Sequence, residues 1–241
     1  MSERDPDLTH SRRFAEAQKP RDAATLIIVR HDDMAPKVLL GQRHDRHAFM
    51  PNKFVFPGGR LDTGDMRTKV GQDLHPTVHE KLLQRMRGRV SPARARGLAI
   101  AAIRETYEET GLFLGSLPAS ALANEDWDTV LAAAALDLSG LRYFARAITP
   151  PGRTRRFDSR FFVANARHIG NLDNPGHPGS GELLKPHWFR FAEALELDLP
   201  AITRDILKRL KPLMETQEEL GPDQPVSFQY FRGKSWREET L

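Results

Sequence analysis

Glu105, Glu108 and Glu109 constrain this chain more than any other feature of its sequence. They sit in Arg104-Glu-Thr-Tyr-Glu-Glu-Thr-Gly-Leu112, where helical spacing puts them at i, i+3 and i+4 on one face. Like charges so placed repel one another. Gly111 is the expected helix end, so the carboxylates also crowd the last turn, where the macrodipole disfavours negative charge. No local stability argument accounts for this, but a divalent cation does, because hard cations take oxygen ligands and hold substrate phosphates. Upstream, Phe54-Val-Phe-Pro-Gly-Gly-Arg-Leu-Asp-Thr-Gly-Asp65 carries two glycines after a short apolar stretch. That is a signal for a tight turn and close ligand approach. Alone such a turn is more often structural; its place ahead of the acids gives it a functional reading.

The two segments together resemble the Nudix box, Gly-x5-Glu-x7-Arg-Glu-U-x-Glu-Glu-x-Gly-U, with U aliphatic. Gly59 and Asp65 fit the first part, with Asp for Glu, and Arg104, Glu105, Glu108, Glu109, Gly111 and Leu112 fit the second. Two departures stand out. Thr106 takes an aliphatic position, and residues 66 to 103 separate the halves, 38 residues where the pattern has 7. Val38-Leu-Leu-Gly-Gln-Arg43, Phe49 to Gly59, Arg156 to Phe162 and the Glu182 to Trp188 segment are similar to the Nudix-type-19 group, which contains peroxisomal coenzyme A diphosphatases. Of the motif of the better-defined CoA-cleaving subgroup, Arg43 fits, whereas the spacing around Arg46 and Phe49 does not.

The resemblance implies an α/β/α sandwich, an α+β arrangement with a mixed sheet and a helical insertion. It implies a Mg²⁺- or Mn²⁺-dependent hydrolase of a nucleoside diphosphate linked to another moiety, with CoA or acyl-CoA leading. ADP-ribose, dinucleoside polyphosphates, nucleotide sugars and a catalytically silent binding domain remain alternatives. Metal ligands would be Glu105, Glu108 and Glu109, with Asp65 at the first box acid. Arg104 would orient the carboxylates. The general base in such proteins is a box Glu or an acid from a distant loop. Glu182 is one candidate, and a solvated loop acid is an equal reading of it. Substrate contacts would come from Arg43, Gly58, Gly59 and the Arg153, Arg155, Arg156 loop, since Arg suits bidentate phosphate recognition.

The 241 residues suit one large domain with embellishments: an arm over 1–21, a hydrolase domain over 22–215 with an insertion at 66–96, and a tail over 216–241. The absence of Cys removes any disulfide scaffold, thiolate metal site or thiol nucleophile. No apolar run is long enough for a membrane span, and the N-terminus lacks a signal-peptide pattern, so a cytoplasmic protein without membrane association is expected. A net charge of +4 is a mild excess of base, and with no RNA module it points to a small-molecule substrate rather than nucleic acid. Nine His residues lack His-x3-His spacing, which argues against zinc. His44, His47 and His187 read first as structural or exposed, and second as substrate contacts.

Strands are expected over 23–29, 38–43, 54–56, 141–148 and 157–165, with a final strand over 187–191. The spacing predicts helices over 76–86, from about 95–97 to 111, over 119–136 and over 201–211, the last ended by Pro212. Phe161 and Phe162 cannot both face one core in an extended strand, so one is assigned to a pocket or a partner. Arg85, Arg87, Arg89, Arg94 and Arg96 read first as a solvated basic flank and second as a substrate flap. The aromatic residues of the tail suit a packed segment or a dimer contact, leaving a homodimer open.

Overall fold

The computed structural model describes residues 18–31, 35–44, 52–121, 126–175, 179–216, 219–233 and 235–241. Most of the N-terminal arm, together with Arg46, His47 and Phe49, lies outside the described residues. In chain order the elements are β1 (Arg21–His31), β2 (Pro36–Arg43), β3 (Phe54–Val55), β4 (Gly58–Arg60), α1 (Pro76–Leu83), α2 (Pro92–Thr110), β5 (Gly115–Ser116), α3 (Trp127–Ala133) and β6 (Ala135–Leu136). Then follow β7 (Arg142–Ile148), β8 (Phe157–Asn165), β9 (Leu183–Arg190), α4 (Phe191–Glu196), α5 (Ala201–Met214), β10 (Ser227–Arg232) and β11 (Ser235–Thr240).

The main sheet runs β11-β10-β7-β8-β1-β2-β3, with β4 added to β1 and β9 to β2. It is mixed: β8 lies parallel to β1, β10 parallel to β7, and the other pairs are antiparallel. Helices cover both faces, so a central strand is apolar on both sides. In β1, Leu26 and Ile28 join the core under α1, α2 and α3, while Ile27 and Val29 join the core under α4 and α5. This also answers the Phe161–Phe162 puzzle. Both side chains are buried, Phe162 in the first core and Phe161 in the second, and neither is left for a partner.

Helix α2 is the central element of the first core, with Leu98, Ala99, Ala102 and Ile103 fully buried. Its start lies earlier than expected because the Ser91 hydroxyl accepts from the Arg94 N–H and caps it. It ends at Gly111, whose φ of 73° closes the left-handed C-cap.

Several expected boundaries change. Gly58-Gly59-Arg60 is not a free turn; it pairs with Ala23–Thr25 as β4. The long Ala-rich helix shortens to α3, N-capped by Asp126, and Ala135–Leu136 pairs instead with Gly115–Ser116. Helix α5 runs past Pro212 to Met214. Strand β9 begins at Leu183, earlier than expected, and is not the last strand, because Ser227–Thr240 forms a hairpin completing the sheet edge. Among the described residues no helix is long and apolar enough to cross a membrane.

The insertion is part of the body. Leu74, Val78, Leu82 and Met86 are buried in the first core. Its arginines are engaged with neighbouring groups: Arg94 Nε donates to Asp22 (2.7 Å), Arg87 to Pro20 O (3.1 Å), Arg85 to Glu239 (2.7 Å) and Arg96 to Asp73 (3.2 Å). Arg89 is exposed and the Arg85 side chain is 53% exposed, so the run is a partly solvated flank tied to the body through the other arginines rather than a free flap. Beneath lies a buried network in which Arg146 grips Asp158 through two bonds of 2.8 Å and reaches Arg85 O (2.9 Å). Arg160 joins Asp22 (2.7 Å) to the same Asp158 (3.2 Å).

Candidate active site

Two close approaches bring the separated halves of the cassette together. The Asp65–Arg67 3₁₀ turn lies against α2 at Gly97, where an added Cβ would stand 2.9 Å from Met66 Cγ. Gly59 lies over Glu105, where a Cβ would come within 2.2 Å of the carboxyl carbon. At Gly97 the neighbouring turn already fills that space, and at Gly59 a side chain would displace the Glu105 carboxyl.

Arg104, 8% exposed, is the hub. Its Nε and Nη2 hold Asp65 at 2.9 and 3.2 Å, Nη1 reaches Glu105 and Glu108 at 3.0 Å each, and Nη2 also donates to Arg60 O at 2.9 Å. Asp65 is 2% exposed and accepts the Asp62 N–H as well (2.8 Å). Expected among the metal ligands, it is bonded to Arg104 through both oxygens. Glu109 accepts the Gly58 N–H at 2.9 Å.

Burial pushes the Glu105 carboxyl up to about 7; Arg104 opposes the shift, and the charges of Glu108 and Glu182 add to it. Burial likewise raises Glu108 against the pull of Arg104, with Asp65 and Asp62 adding to the rise. Glu109 is driven well above the ordinary carboxylate range by burial, opposed by the Gly58 N–H and Arg43, and reinforced by Glu105 and Glu182. Burial works against the charge of Arg104, but its bonds to Asp65 and the surrounding carboxylates outweigh that and raise its pKa.

Glu182 and Arg43 therefore act on the same cluster, although 73 and 66 residues, respectively, separate them from Glu109. Antiparallel pairing of β2 with β9 sets Arg43 opposite Leu183 and brings Glu182 O to the His44 N–H (3.3 Å). The loop before β9 also clasps the end of α2. Ser180 N–H donates to Glu108 O (2.7 Å), and Gly179, at φ 86°, lies so near Glu109 O that a Cβ would stand 2.1 Å away. Asn171 holds the other side, donating to Gly111 O (2.7 Å) and accepting the Phe113 N–H (2.8 Å). Sequence reasoning missed Asn171, Ser180 and Asp62; the glycines flanking Ser180 were the one available signal.

The arginine loop stands elsewhere. Arg156 donates to Thr149 O (3.0 Å) and Gln18 O (2.8 Å), and its carbonyl accepts the Arg21 N–H at the start of β1. Arg153 is half-buried and Arg155 exposed beside it. None of the three is among the charges acting most strongly on the glutamates.

The donor set fits a hard divalent cation: three carboxylates, all oxygen, whose charged forms burial and mutual repulsion disfavour until a cation offsets them. Among the described residues no three acids already form a coordination cage. Arg104 Nη1 holds Glu105 and Glu108, and the Gly58 N–H holds Glu109.

No family model matches the chain. Among solved structures it is similar to a NUDIX hydrolase from Alicyclobacillus acidocaldarius, with 26% identity and a TM-score of 0.61 over 86% of this chain and 100% of that one. The NUDIX domain of Shewanella oneidensis NrtR, solved with ADP ribose, matches at 12% identity and a TM-score of 0.47, over 88% of this chain and 94% of that one. A mutator MutT protein from Bacillus halodurans matches at 16% and 0.44, over 91% and 97%. Neither of these last two bears on the chemistry. The fold is that of the Nudix hydrolases. With the box that α2 carries, it defines the class of this protein as a hydrolase consistent with action on acid anhydrides.

Proposed function

We propose that the protein hydrolyses the diphosphate of a nucleoside diphosphate linked to another moiety, with CoA or acyl-CoA as the leading substrate class, by attack of water on phosphorus. The observation that carries this is the convergence of Glu105, Glu108, Glu109, Glu182 and Arg43 at the end of α2. Glu105, Glu108 and Glu109 would hold Mg²⁺ or Mn²⁺. A bound ion of this kind supplies charge neutralisation on the diphosphate and a more readily ionised water. Asp65 fixes Arg104, and Arg104 restrains the Glu105 and Glu108 carboxylates. Glu182, an exposed acid outside the helix whose charge acts on the cluster, would take a proton from the attacking water. Arg43 gives fixed positive charge for a phosphate oxygen. Arg153 and Arg155, in the loop before β8, would serve a remote anionic group of a long substrate, such as a 3′-phosphate.

The test is a substrate panel with Mg²⁺ and Mn²⁺ over CoA, ADP-ribose, NADH, dinucleoside polyphosphates and nucleotide sugars. CoA should turn over best. Preference for another member moves the substrate assignment, and no turnover favours a binding domain. Glu108→Gln and Glu109→Gln should each abolish hydrolysis while the protein stays folded; wild-type rates in either would sink the ligand assignment.

A further inference from the structure

Strand β11 ends the sheet, and among the described residues nothing pairs with its outer side. Exposed edge strands are usually blunted by proline, charged side chains, a bulge or a covering segment, because their free backbone groups invite pairing. Ser235-Trp-Arg-Glu-Glu-Thr240 has no proline, pairs with β10 without a bulge and leaves Trp236 54% exposed; its charges, Arg237, Glu238 and Glu239, are of both signs, so a second copy can match them.

The hairpin fixes which backbone groups face outward. Val226 and Leu241 exchange both N–H···O bonds (3.3 and 3.0 Å). Bonded pairs alternate in an antiparallel ladder, so Phe228–Glu239, Tyr230–Arg237 and Arg232–Ser235 are bonded in turn. The N–H and C=O groups of Trp236, Glu238 and Thr240 then point away from β10. Side chains alternate as well: Glu239 meets Arg85 of the insertion (2.7 Å), while Glu238 meets Arg209 of α5 (2.5 and 3.0 Å).

We propose that β11 pairs antiparallel with β11 of a second copy about a two-fold axis through Glu238, joining two sheets into one. Matching of faces requires the axis to pass through a residue. At Glu238 it gives three bonded pairs, Trp236 with Thr240, Glu238 with Glu238, and Thr240 with Trp236, about six backbone bonds in all. It sets Arg237 of each copy beside Glu239 of the other, on one face. Glu239 is already held in place by Arg85 and Tyr230. The facing Glu238 residues each keep Arg209. An axis through Arg237 is worse, giving only two bonded pairs. The interface is isologous and closed, as expected of a two-fold dimer.

Sedimentation velocity from about 1 to about 100 µM should show a species of twice 27.3 kDa. Arg237→Glu sets like charges together and should raise the dimer Kd about tenfold or more. Thr240→Pro removes one outward N–H per copy, at an edge position where proline is tolerated, and should weaken the dimer with unchanged circular dichroism. A wild-type monomer across the range overturns the proposal, including the case in which deleting residues 1–17 is needed to expose the dimer. A dimer unaffected by both variants overturns it too.

Discussion

Replacing Asp158 by Asn removes one charge from the middle of the sheet and tests whether that buried network fastens the insertion. Asp158 is 0% exposed and accepts both Arg146 bonds at 2.8 Å, with Arg160 at 3.2 Å. Arg160 keeps Asp22 in the variant, whereas Arg146, 1% exposed, loses its bidentate carboxylate and keeps neutral acceptors, the face of Phe228 and the more distant charge of Asp22. Stranding a buried charge in this way costs about 3–5 kcal/mol. At about 2–4 °C per kcal/mol for a chain of this size, the melting temperature should fall by roughly 6–20 °C. Because Arg146 also holds Gln84 O and Arg85 O, trypsin should cut the variant near Arg85 and Arg87 well before the wild type. Adding Arg146→Met should recover part of the loss, since it removes the unmatched buried charge. Burial raises the Asp158 pKa, but the Arg146 bonds and the Arg160 charge outweigh this and leave it below its ordinary value. Its contribution is therefore fully present above the unfolded value near 3.9 and is lost as pH falls through the lower folded value, a decline that the Asn variant should lack. A cost under about 1 kcal/mol in urea unfolding, or a double variant worse than either single one, would refute the reasoning.

Gly59→Ala drives a methyl into the Glu105 carboxyl, a movable group, so hydrolysis should drop about a hundredfold with little loss of stability. Gly58→Ala meets Ala24 O at 2.5 Å instead, and unfolding experiments should show it to be the more destabilising of the two. Without metal, Glu105 binds its proton more tightly in the folded state, with a pKa of about 7. Its contribution is present below the unfolded value near 4.3 and is lost as pH rises through 7, so thermal shifts from Mg²⁺ should be larger at pH 8 than at pH 5.5. Equal shifts would count against these carboxylates as ligands. Deleting residues 68 to 92 removes Leu74, Val78, Leu82 and Met86 from the core, so the product should unfold rather than change substrate preference. A stable product with altered KM would restore the flap reading.

What the sequence made legible was local. Glu105, Glu108, Glu109 and Gly111 report on one helix through their spacing, and β7 and β8 are bounded by the proline, glycine and arginine run between them. What it hid depends on distant pairing. The arginines of the insertion look solvated until Asp22, Asp73 and Glu239 are brought to them by the fold. Phe161 and Phe162 conflict only if the sheet has one covered face, and the second core under α5 removes the conflict. The final hairpin carries charged residues at an edge, where exposure masks the alternation that marks a half-buried strand. Glu182 could be suspected from its loop, but the register that places it beside Arg43 is a property of β2 and β9 together.

The split in the box has a physical solution in the fold. An excursion of this length is tolerated if its ends return to the positions a short connection would give them, because closure entropy grows only slowly with loop length. Here Asp65 ends in a 3₁₀ turn against α2, and Arg104 binds it through two bonds, so the first box acid meets the second half across the gap. Gly97 makes the approach possible, since Leu61 Cδ1 and Met66 Cα would both stand 3.2 Å from a Cβ at that site. Between these contacts the extra chain buries its own apolar residues in the core that α2 already needs. The insertion thus widens the platform on which the acids stand. The resulting order is physical as well as spatial: core packing holds α2, α2 presents Arg104, and Arg104, fixed by Asp65, restrains Glu105 and Glu108 in a buried cluster whose ionised form calls for a cation.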